Sequence, residues 1–356
     1  VLFRSSVGAV NARGIIQNND LDRYNFSVRN TTSMLNDKLT MDLSFMYSNV
    51  KEQNMLSQGE YANPLVPVYL FPRGDDFSKY QYYERYDVDR NIKTQFWPLK
   101  ENGLSMQNPY WITNRNMYTN KKDRFLASGS LKYTITDWLN VSGRVKLDKE
   151  TINSEKKMYA STLNVIAENS DKGAYVQSNK NTSQIYADAM LNINKYFYHD
   201  TWNLTASLGA SLLDLDYKEL NFGGGLLTIP NLFTSNNANV SGKLTYKNTN
   251  YHDRTNSLFG TFSLGYKGMV YVDGSLRNDW ISALAGTNHS SILYPSIGAS
   301  AILTNMFTMK SNILSYAKVR LSYSEVGNAP ERFRAITTYA VLGGLNTTSY
   351  FPIKDL

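Results

Sequence analysis

Aromatic and charged side chains that could hold a ligand are concentrated in one long segment, residues 51–122. Aromatic faces stack on sugar rings or on peptide side chains, and fixed charges orient the polar groups of a ligand. A segment of this length could equally need a small core of its own, which the same aromatics would supply. The candidates for contact with a substrate or a partner protein are Arg73, Tyr80, Tyr82, Tyr83, Trp97, Tyr110 and Trp111.

Two short motifs that could signal metal or phosphate binding are weak in this chain. Asp75-Asp76 lacks the alternating acidic spacing and the closing Glu of a calcium loop, so a solvated turn is the better interpretation. No Lys-Ser or Lys-Thr pair follows the run Gly223-Gly224-Gly225. We therefore predict that this run is a flexible part of a loop and not a phosphate-binding loop.

The residue types that most often carry out catalysis are scarce. The chain has no cysteine, which excludes disulfides, thiolate metal sites and cysteine nucleophiles. Its histidines, His199, His252 and His289, are widely separated, and no Gly-x-Ser-x-Gly motif marks a nucleophilic serine. We predict no enzymatic activity, no catalytic residue, no cofactor and no metal site. The net charge of +7 is spread without a basic block, so no nucleic-acid partner is indicated.

The elements that must position these residues are β-strands, because apolar and polar residues alternate in about ten stretches of the chain. In a strand, alternate side chains point to opposite faces of the sheet. The residues predicted for the apolar face include Leu131, Val141, Leu191, Leu204 and Leu208. Those predicted for the polar face include Lys132, Arg144, Asp188 and Arg320.

Short and long connections alternate along the chain, so all the long loops are predicted at one end of the sheet. The long loops are expected at about 51–122, 151–182, 217–254, 279–293 and 328–356. Loops of such length in a compact domain are usually functional. Outer-membrane barrels have this asymmetry, with short periplasmic turns and long extracellular loops.

The predicted fold class is all-β, an antiparallel transmembrane β-barrel of which about ten strands are present. A soluble secreted β-sandwich that binds glycans remains an alternative, because it would show the same alternation. Small residues such as Ala127 and Gly129 suit a face against fluid lipid better than a close-packed core. Aromatic residues near strand ends, such as Trp138 and Trp202, are typical of the interfacial girdles of barrels.

Several sequence motifs carry a resemblance to a known family. Two of them lie in the first long loop, at 63–77 (NPLVPVYLFPRGDDF) and 104–111 (LSMQNPYW). Barrel motifs follow in the expected order at 36–40, 135–141, 275–279, 294–298 and 314–320. In combination they resemble the SusC/RagA-type TonB-dependent transporters of Bacteroidota, and the resemblance runs from about Gly14 to the end of the chain.

The resemblance implies a nutrient importer in the outer membrane of a Gram-negative cell. Members of this family form a barrel of about 22 strands around an N-terminal plug. A SusD-like lipoprotein closes over the extracellular mouth, and the TonB complex pulls on the plug to release the substrate inward. The implied substrate is an oligosaccharide or an oligopeptide, and membrane lipid and lipopolysaccharide surround the barrel. A passive porin-type channel remains the nearest alternative function.

The two ends of the sequence depart from the family pattern. The chain carries no plug and no TonB box, so we expect residues 14–356 to be part of the barrel only. The first residues, Val1 to Ser5, resemble the translation of a sequencing adapter. Residues 1–13 are therefore expected to be a truncated and partly artefactual N-terminal end.

Overall fold

The computed structural model describes most of the chain. The described residues are 1–55, 59, 61–97, 106–239, 247–307, 314–332, 334, 338–342 and 348–352. Strands dominate these residues, and the helices are short. In the described part of the chain, no helix is both long and apolar enough to cross a membrane.

The architecture is one large antiparallel sheet with small accessory elements. The strands are β1 Leu2–Arg13, β2 Asp20–Met34, β3 Leu39–Gln53, β4 Glu84–Asp87, β5 Ile92–Gln95, β6 Asn116–Thr136, β7 Leu139–Tyr159, β8 Gly173–Phe197, β9 Trp202–Gly225, β10 Lys247–Tyr266, β11 Val270–Ile281, β12 Ser291–Ile302, β13 Lys318–Ser324, β14 Thr338–Leu342 and β15 Thr348–Pro352. The helices are α1 Leu65–Tyr69, α2 Pro109–Arg115 and α3 Leu303–Met306. Single 3₁₀ turns occupy Phe77–Gln81, Ser235–Asn237 and Ser282–Leu284.

Eleven strands form the large sheet, in the order β1-β2-β3-β6-β7-β8-β9-β10-β11-β12-β13. Each strand pairs with its neighbours in sequence, except that β3 pairs with β6 because β4 and β5 form a separate hairpin in the connection between them. The strands β14 and β15 form another separate pair. This meander is the simplest topology for a chain whose short and long connections alternate.

The register separates the two predicted sets of residues onto opposite faces, because directly paired residues share a face. On one face Val141 lies opposite Leu191, which in turn lies opposite Leu208. On the other face Arg144 lies opposite Asp188. The remaining predicted members, Leu131, Leu204, Lys132 and Arg320, also lie on the faces predicted for them. We call the two sides the apolar face and the polar face.

The apolar face forms a belt of limited height. On β7 it runs over residues 139–147 and then meets Lys149, and on β9 it runs over residues 204–212 and then meets Asp214. A tilted strand needs ~9–11 residues to cross the hydrocarbon core of a bilayer, and these stretches match that length. Many belt side chains are exposed to the surroundings of the chain, Leu208 at 58%.

The strands continue beyond the belt, so the long loops are shorter than the alternation predicts. The strands β7 and β8 remain paired as far as Tyr159 and Gly173, which leaves residues 160–172 as the connection instead of 151–182. The next two connections similarly shrink to 226–246 and 282–290. Outside the membrane both faces of a strand can be polar. The alternation of apolar and polar residues therefore ends there, although the backbone hydrogen bonds between the strands continue.

Two other local expectations differ from the structure. The sheet has eleven strands instead of about ten, because β1 pairs with β2 from Leu2–Thr31 to Arg13–Asp20. That residues 1–13 are a truncated end stays a prediction. The glycine run at 223–225 closes β9 and is buried, so the expectation of a flexible loop is wrong there. A Cβ on Gly223, which has φ +142°, would lie 2.1 Å from the carbonyl oxygen of Tyr175. Glycine is required for this close approach.

The most buried apolar residues of the described chain lie beyond the belt, at the end of the sheet that carries the long connections. They are Tyr80, Trp111, Ile112, Met158, Ala160, Ala167, Ala174, Tyr175, Leu226 and Ala238. In the described part of the chain, the packed core therefore lies at this end of the sheet, where the long connections meet the ends of the strands.

Candidate functional site

Residues 54–115, which we call the mouth segment, form the largest connection at this end of the sheet. Both of its ends are fixed by the side chains of asparagines. The Asn54 side chain donates to the carbonyl oxygen of Thr113 at 3.2 Å, and its backbone N–H donates to the carbonyl oxygen of Tyr118 at 2.7 Å. Asn18, between β1 and β2, donates to the same Thr113 carbonyl at 3.0 Å. The mouth segment is therefore held against the start of the sheet.

An aromatic cluster around Tyr80 forms the first core of the mouth segment. The Tyr80 side chain is 7% exposed, and its ring centroid lies 5.4 Å from that of Phe71 and 5.3 Å from that of Trp97. The Tyr80 hydroxyl donates to the carboxylate of Asp75 at 2.5 Å. This hydrogen bond is the main cause of a lowered pKa at Asp75, and the same carboxylate raises the pKa of Tyr80.

A second core surrounds Trp111, which is fully buried. Its indole Nε1–H donates to the Thr162 hydroxyl at 3.0 Å, and that hydroxyl donates to Oδ1 of Asn116 at 2.8 Å. The bonds connect α2 to the connection after β7 and to the first residue of β6. Trp111 therefore joins the mouth segment to a second long connection.

Asn108 is a central residue of the mouth segment to which sequence reasoning assigned no role. Its side-chain oxygen accepts from the N–H of Tyr110 at 2.8 Å and caps α2. Its amide donates to the carbonyl oxygens of Tyr80 at 2.8 Å and Phe96 at 3.1 Å. The available signal was Asn108-Pro109, because Asn at the N-cap followed by Pro at the first helical position is a common helix start.

An ion-pair cluster fixes the hairpin of β4 and β5. Glu84 accepts from Arg115 at 2.6 Å and from Lys93 at 2.6 Å. Burial alone would raise the pKa of Glu84, but these two cations outweigh the burial and lower it. The Arg115 guanidinium also lies 4.9 Å from the centre of the Tyr159 ring, at the end of β7. The hairpin is thus connected to the sheet through one arginine.

The structure divides the predicted site residues into two groups. Tyr80 and Trp111 are core residues, and Trp97 is half-buried with an indole N–H that has no hydrogen-bond partner among the described residues. Arg73 and Tyr82 are exposed, Tyr82 at 62%. The half-buried members are Tyr83 and Tyr110. Only the exposed and half-buried side chains can reach a ligand from this conformation.

The polar face carries charge pairs between neighbouring strands. Arg144 donates through Nε to Asp188 at 2.8 Å. Arg124 donates through Nε to Asp148 at 2.9 Å. A third pair joins Arg29 to Asp42, which also accepts from the Thr31 hydroxyl at 2.6 Å. Arg29, Arg144 and Asp148 line a groove of 690 Å³ on the sheet, and they give it a charged side.

The described residues offer little for metal chemistry. No group of three or more His, Asp or Glu side chains among them is arranged to hold a metal ion. His252 lies in β10 and not in a loop, and its Nε2 lies 2.9 Å from Asp214 on the apolar side, just above the belt. Arg254 donates to the same carboxylate at 2.6 Å, so this cluster is an ion pair with a histidine neighbour.

Comparison with known proteins gives structural relatives only. No family model and no curated protein matches the sequence. The RagAB peptide transporter is similar with a TM-score of 0.70 at 15% identity, over 99% of this chain and 38% of the other. The RagAB peptide importer in its open-open state is similar with a TM-score of 0.67 at 15% identity, over 98% of this chain and 37% of the other. The closed-closed state of the same importer is similar with a TM-score of 0.67 at 15% identity, over 99% of this chain and 38% of the other.

These matches confirm the predicted fold class. The chain has the fold of part of an antiparallel transmembrane β-barrel, and the resemblance to SusC/RagA-type barrels extends to three dimensions. The chain spans about 38% of the length of the chain of the RagAB peptide transporter to which it is similar. In such a barrel the apolar face is the lipid side and the polar face is the lumen side.

Proposed function

We propose that this chain forms part of the wall of a TonB-dependent transporter that imports a nutrient across the outer membrane together with a SusD-like lipoprotein. The observation that carries the proposal is the likeness to the RagAB peptide transporter over 99% of this chain, long connections included. We assign no enzymatic activity to the chain. The nutrient is an oligosaccharide or an oligopeptide, and the peptide-transporting relative supports the second.

The two faces of the sheet support a position in the outer membrane. The belt has the height of a hydrocarbon core and is free of charged residues on β7 and β9. Lipid and lipopolysaccharide contact this face. The polar face lines a water-filled interior. Its charges are paired, as in Arg144–Asp188, and the pairing offsets the cost of burying the carboxylate.

The mouth segment supports selective uptake and argues against an open pore. The cores at Tyr80 and Trp111 fix the described parts of the mouth segment, which preorganises the exposed side chains there. Arg73 and Tyr82 present a charge and an aromatic face outward, which suits contact with a sugar, a peptide or the lipoprotein lid. Tyr83 and Tyr110 contribute at the edges of the same surface. A passive porin has no need of such a structured entrance.

Nutrient uptake with and without TonB tests the proposal. Residues 55–115 are replaced by a short Gly-Ser linker, because Gln53 and Thr119 already pair and end the ladder there. We expect the variant to assemble in the outer membrane but to fail to support growth on the cognate glycan or peptide. The matched control removes residues 286–289 instead, a mostly exposed stretch of the connection between β11 and β12 whose hydrogen bonds are local, and it should grow like the wild type.

The strain background separates the two transport mechanisms. For a TonB-dependent importer, loss of TonB abolishes growth on the nutrient even with the wild-type chain present. Growth that is independent of TonB, or that survives loss of the mouth segment at equal surface expression, contradicts the proposal and favours a passive channel.

A further inference from the structure

A guanidinium group is held on the polar face, above the belt, by an aromatic ring and a carboxylate. Tyr251 and Asp253 lie two residues apart on β10, so both side chains point to the same side of the sheet. The Arg332 guanidinium lies 3.4 Å from the centre of the Tyr251 ring. Its Nε lies 2.7 Å from each oxygen of Asp253, and its Nη2 lies 2.7 Å from one of them. We call Tyr251 and Asp253 the clamp.

The clamp belongs to a larger aromatic surface. Tyr217 on β9 pairs directly with Tyr251, and the two rings stack with centroids 4.5 Å apart at an angle of 12°. The Tyr217 hydroxyl donates to Glu219 at 2.8 Å, and the Lys180 ammonium lies 5.2 Å from the Tyr217 ring. The clamp is thus rigid on its sheet side, because its ring is fixed by a stacked neighbour.

The charge around the clamp favours a cation. Asp253 is the charged group of the clamp itself, whereas the neighbouring Glu219 is balanced by two cations, Lys180 and Lys247. A planar guanidinium satisfies both parts of the clamp at once, because it can stack on a ring and donate two hydrogen bonds to a carboxylate. A carboxylate ligand would be repelled, and a neutral sugar would leave Asp253 without its ionic partner.

Arg332 is not part of the wall that forms the clamp. It lies after the end of β13 at Ser324, and the chain between them passes back over β12 and β11 to reach β10. Arg334 nearby pairs instead with Glu331 and is exposed. The contact between Arg332 and the clamp therefore joins the far end of this connecting segment to the wall, while at its near end the Glu325 N–H donates to the carbonyl oxygen of Pro295 at 3.0 Å.

We propose that the clamp is a binding site for the arginine side chain of a ligand, and that Arg332 is its built-in competitor. An incoming guanidinium replaces that of Arg332 in the same contacts and releases the far end of the segment, at Arg332, from the clamp. The assignment goes beyond the proposed import and does not depend on it, because binding to the clamp can be measured without transport.

Competition by a tethered group has a measurable consequence. A tethered side chain has an effective concentration on the order of millimolar or above, so it weakens the apparent affinity for a free ligand of the same chemistry. Removing Arg332 should therefore increase the affinity for free arginine derivatives. Removing Asp253 should then abolish the gain.

The test uses the full chain purified in detergent, with calorimetric titration of arginine amide. Citrulline amide is the ligand control, since it has nearly the same shape without the charge. We expect Arg332→Ala to bind arginine amide about ten-fold more tightly than the wild type. The double variant Arg332→Ala with Asp253→Asn should lose at least that factor, and citrulline amide should show no gain in any variant.

Arg334→Ala is the matched protein control, because it removes a neighbouring arginine that does not touch the clamp. Circular dichroism verifies that all variants keep the same strand content. Equal affinity of wild type and Arg332→Ala for arginine amide overturns the proposal. So does an equal gain with Arg334→Ala, or a gain with citrulline amide that matches the gain with arginine amide.

Discussion

Arg144 and Asp188 lie directly opposite each other on β7 and β8, and the arginine covers a carboxylate that is only 4% exposed. The pair lies at the height of the belt, on the polar face. A carboxylate so shielded from water is stabilised by its partner, whereas the partly exposed arginine retains contact with the lumen. The pair is therefore a sensitive probe of the lumen wall.

Replacing Arg144 with Met should destabilise the folded sheet by about 1–3 kcal/mol, because Asp188 would stay buried without its ionic partner. The double variant Arg144→Met with Asp188→Leu should recover part of the loss, since it leaves no unpaired charge. Urea unfolding in phospholipid vesicles measures both free energies. If the double variant has a lower free energy of unfolding than Arg144→Met alone, this account of the pair is wrong.

The belt should tolerate charge according to depth. Leu208 is central in the stretch 204–212 on β9, and Leu204 is at its end near the short turn. We expect Leu208→Arg to cost ~2–4 kcal/mol of unfolding free energy and Leu204→Arg ~0–1 kcal/mol. Ser207→Arg is the control, because Ser207 points to the polar face and should cost less than Leu208→Arg. If Ser207→Arg and Leu208→Arg lower the free energy of unfolding equally, position 208 does not face lipid in preference to position 207.

Replacing Trp111 with Phe should loosen the mouth segment without disrupting the barrel wall. The change removes the hydrogen bond to Thr162 and part of a fully buried ring, at a cost of about 1–3 kcal/mol. Limited trypsin digestion of the folded protein measures the effect as faster cleavage within residues 73–93. The control is Tyr82→Phe, an exposed site whose cleavage rate should equal that of the wild type. An unchanged cleavage rate of the Trp111 variant would show that Trp111 does not stabilise the mouth segment.

The Asp75–Tyr80 hydrogen bond should make the mouth segment sensitive to acid. The hydrogen bond from the Tyr80 hydroxyl holds the folded-state pKa of Asp75 below its ordinary value. A lowered folded-state pKa contributes stability that is complete above the unfolded value and is lost as pH falls through the folded value. The hydrogen-exchange protection factors of the mouth segment, which are corrected for the intrinsic pH dependence of exchange, should therefore fall below about pH 4.

The same experiment on Tyr80→Phe provides the comparison. Without the phenol, the folded and unfolded pKa values of Asp75 move closer together, so the loss of protection in acid should be smaller. Tyr82→Phe does not touch Asp75 and should behave as the wild type. An identical acid response in Tyr80→Phe and the wild type would show that other groups cause it.

The faces of the strands could be predicted from the sequence, whereas the strand ends could not. The sequence predicts opposite faces for Leu131 and Lys132, because a strand within the membrane places apolar residues toward lipid and polar residues toward the lumen at alternate positions. Beyond Leu147 the strand continues to Tyr159 with polar residues on both sides, so no contrast remains to follow. The strand β1 was missed for a related reason, since Ser5 lies on the apolar face and Leu2 on the polar face.

The division of the aromatic residues in the mouth segment could not be predicted either. Tyr80 and Tyr82 are two residues apart, yet one is in the core and the other is exposed. In a strand such a spacing would place them on one face, but Tyr80 lies in a 3₁₀ turn that ends at Gln81. Irregular segments have no repeating face, so only long-range contacts such as those of Phe71 and Trp97 decide which ring is buried.

Labelling of single cysteines in intact cells tests the central claim that this chain is a two-faced barrel wall whose mouth is outside the cell. The natural chain has no cysteine, so each introduced thiol reports one position. A membrane-impermeant maleimide should label Tyr82→Cys on intact cells, Asp137→Cys in the short turn only after permeabilisation, and Leu208→Cys in neither case. Labelling of Leu208→Cys in intact cells, or of Asp137→Cys before permeabilisation, would contradict the account.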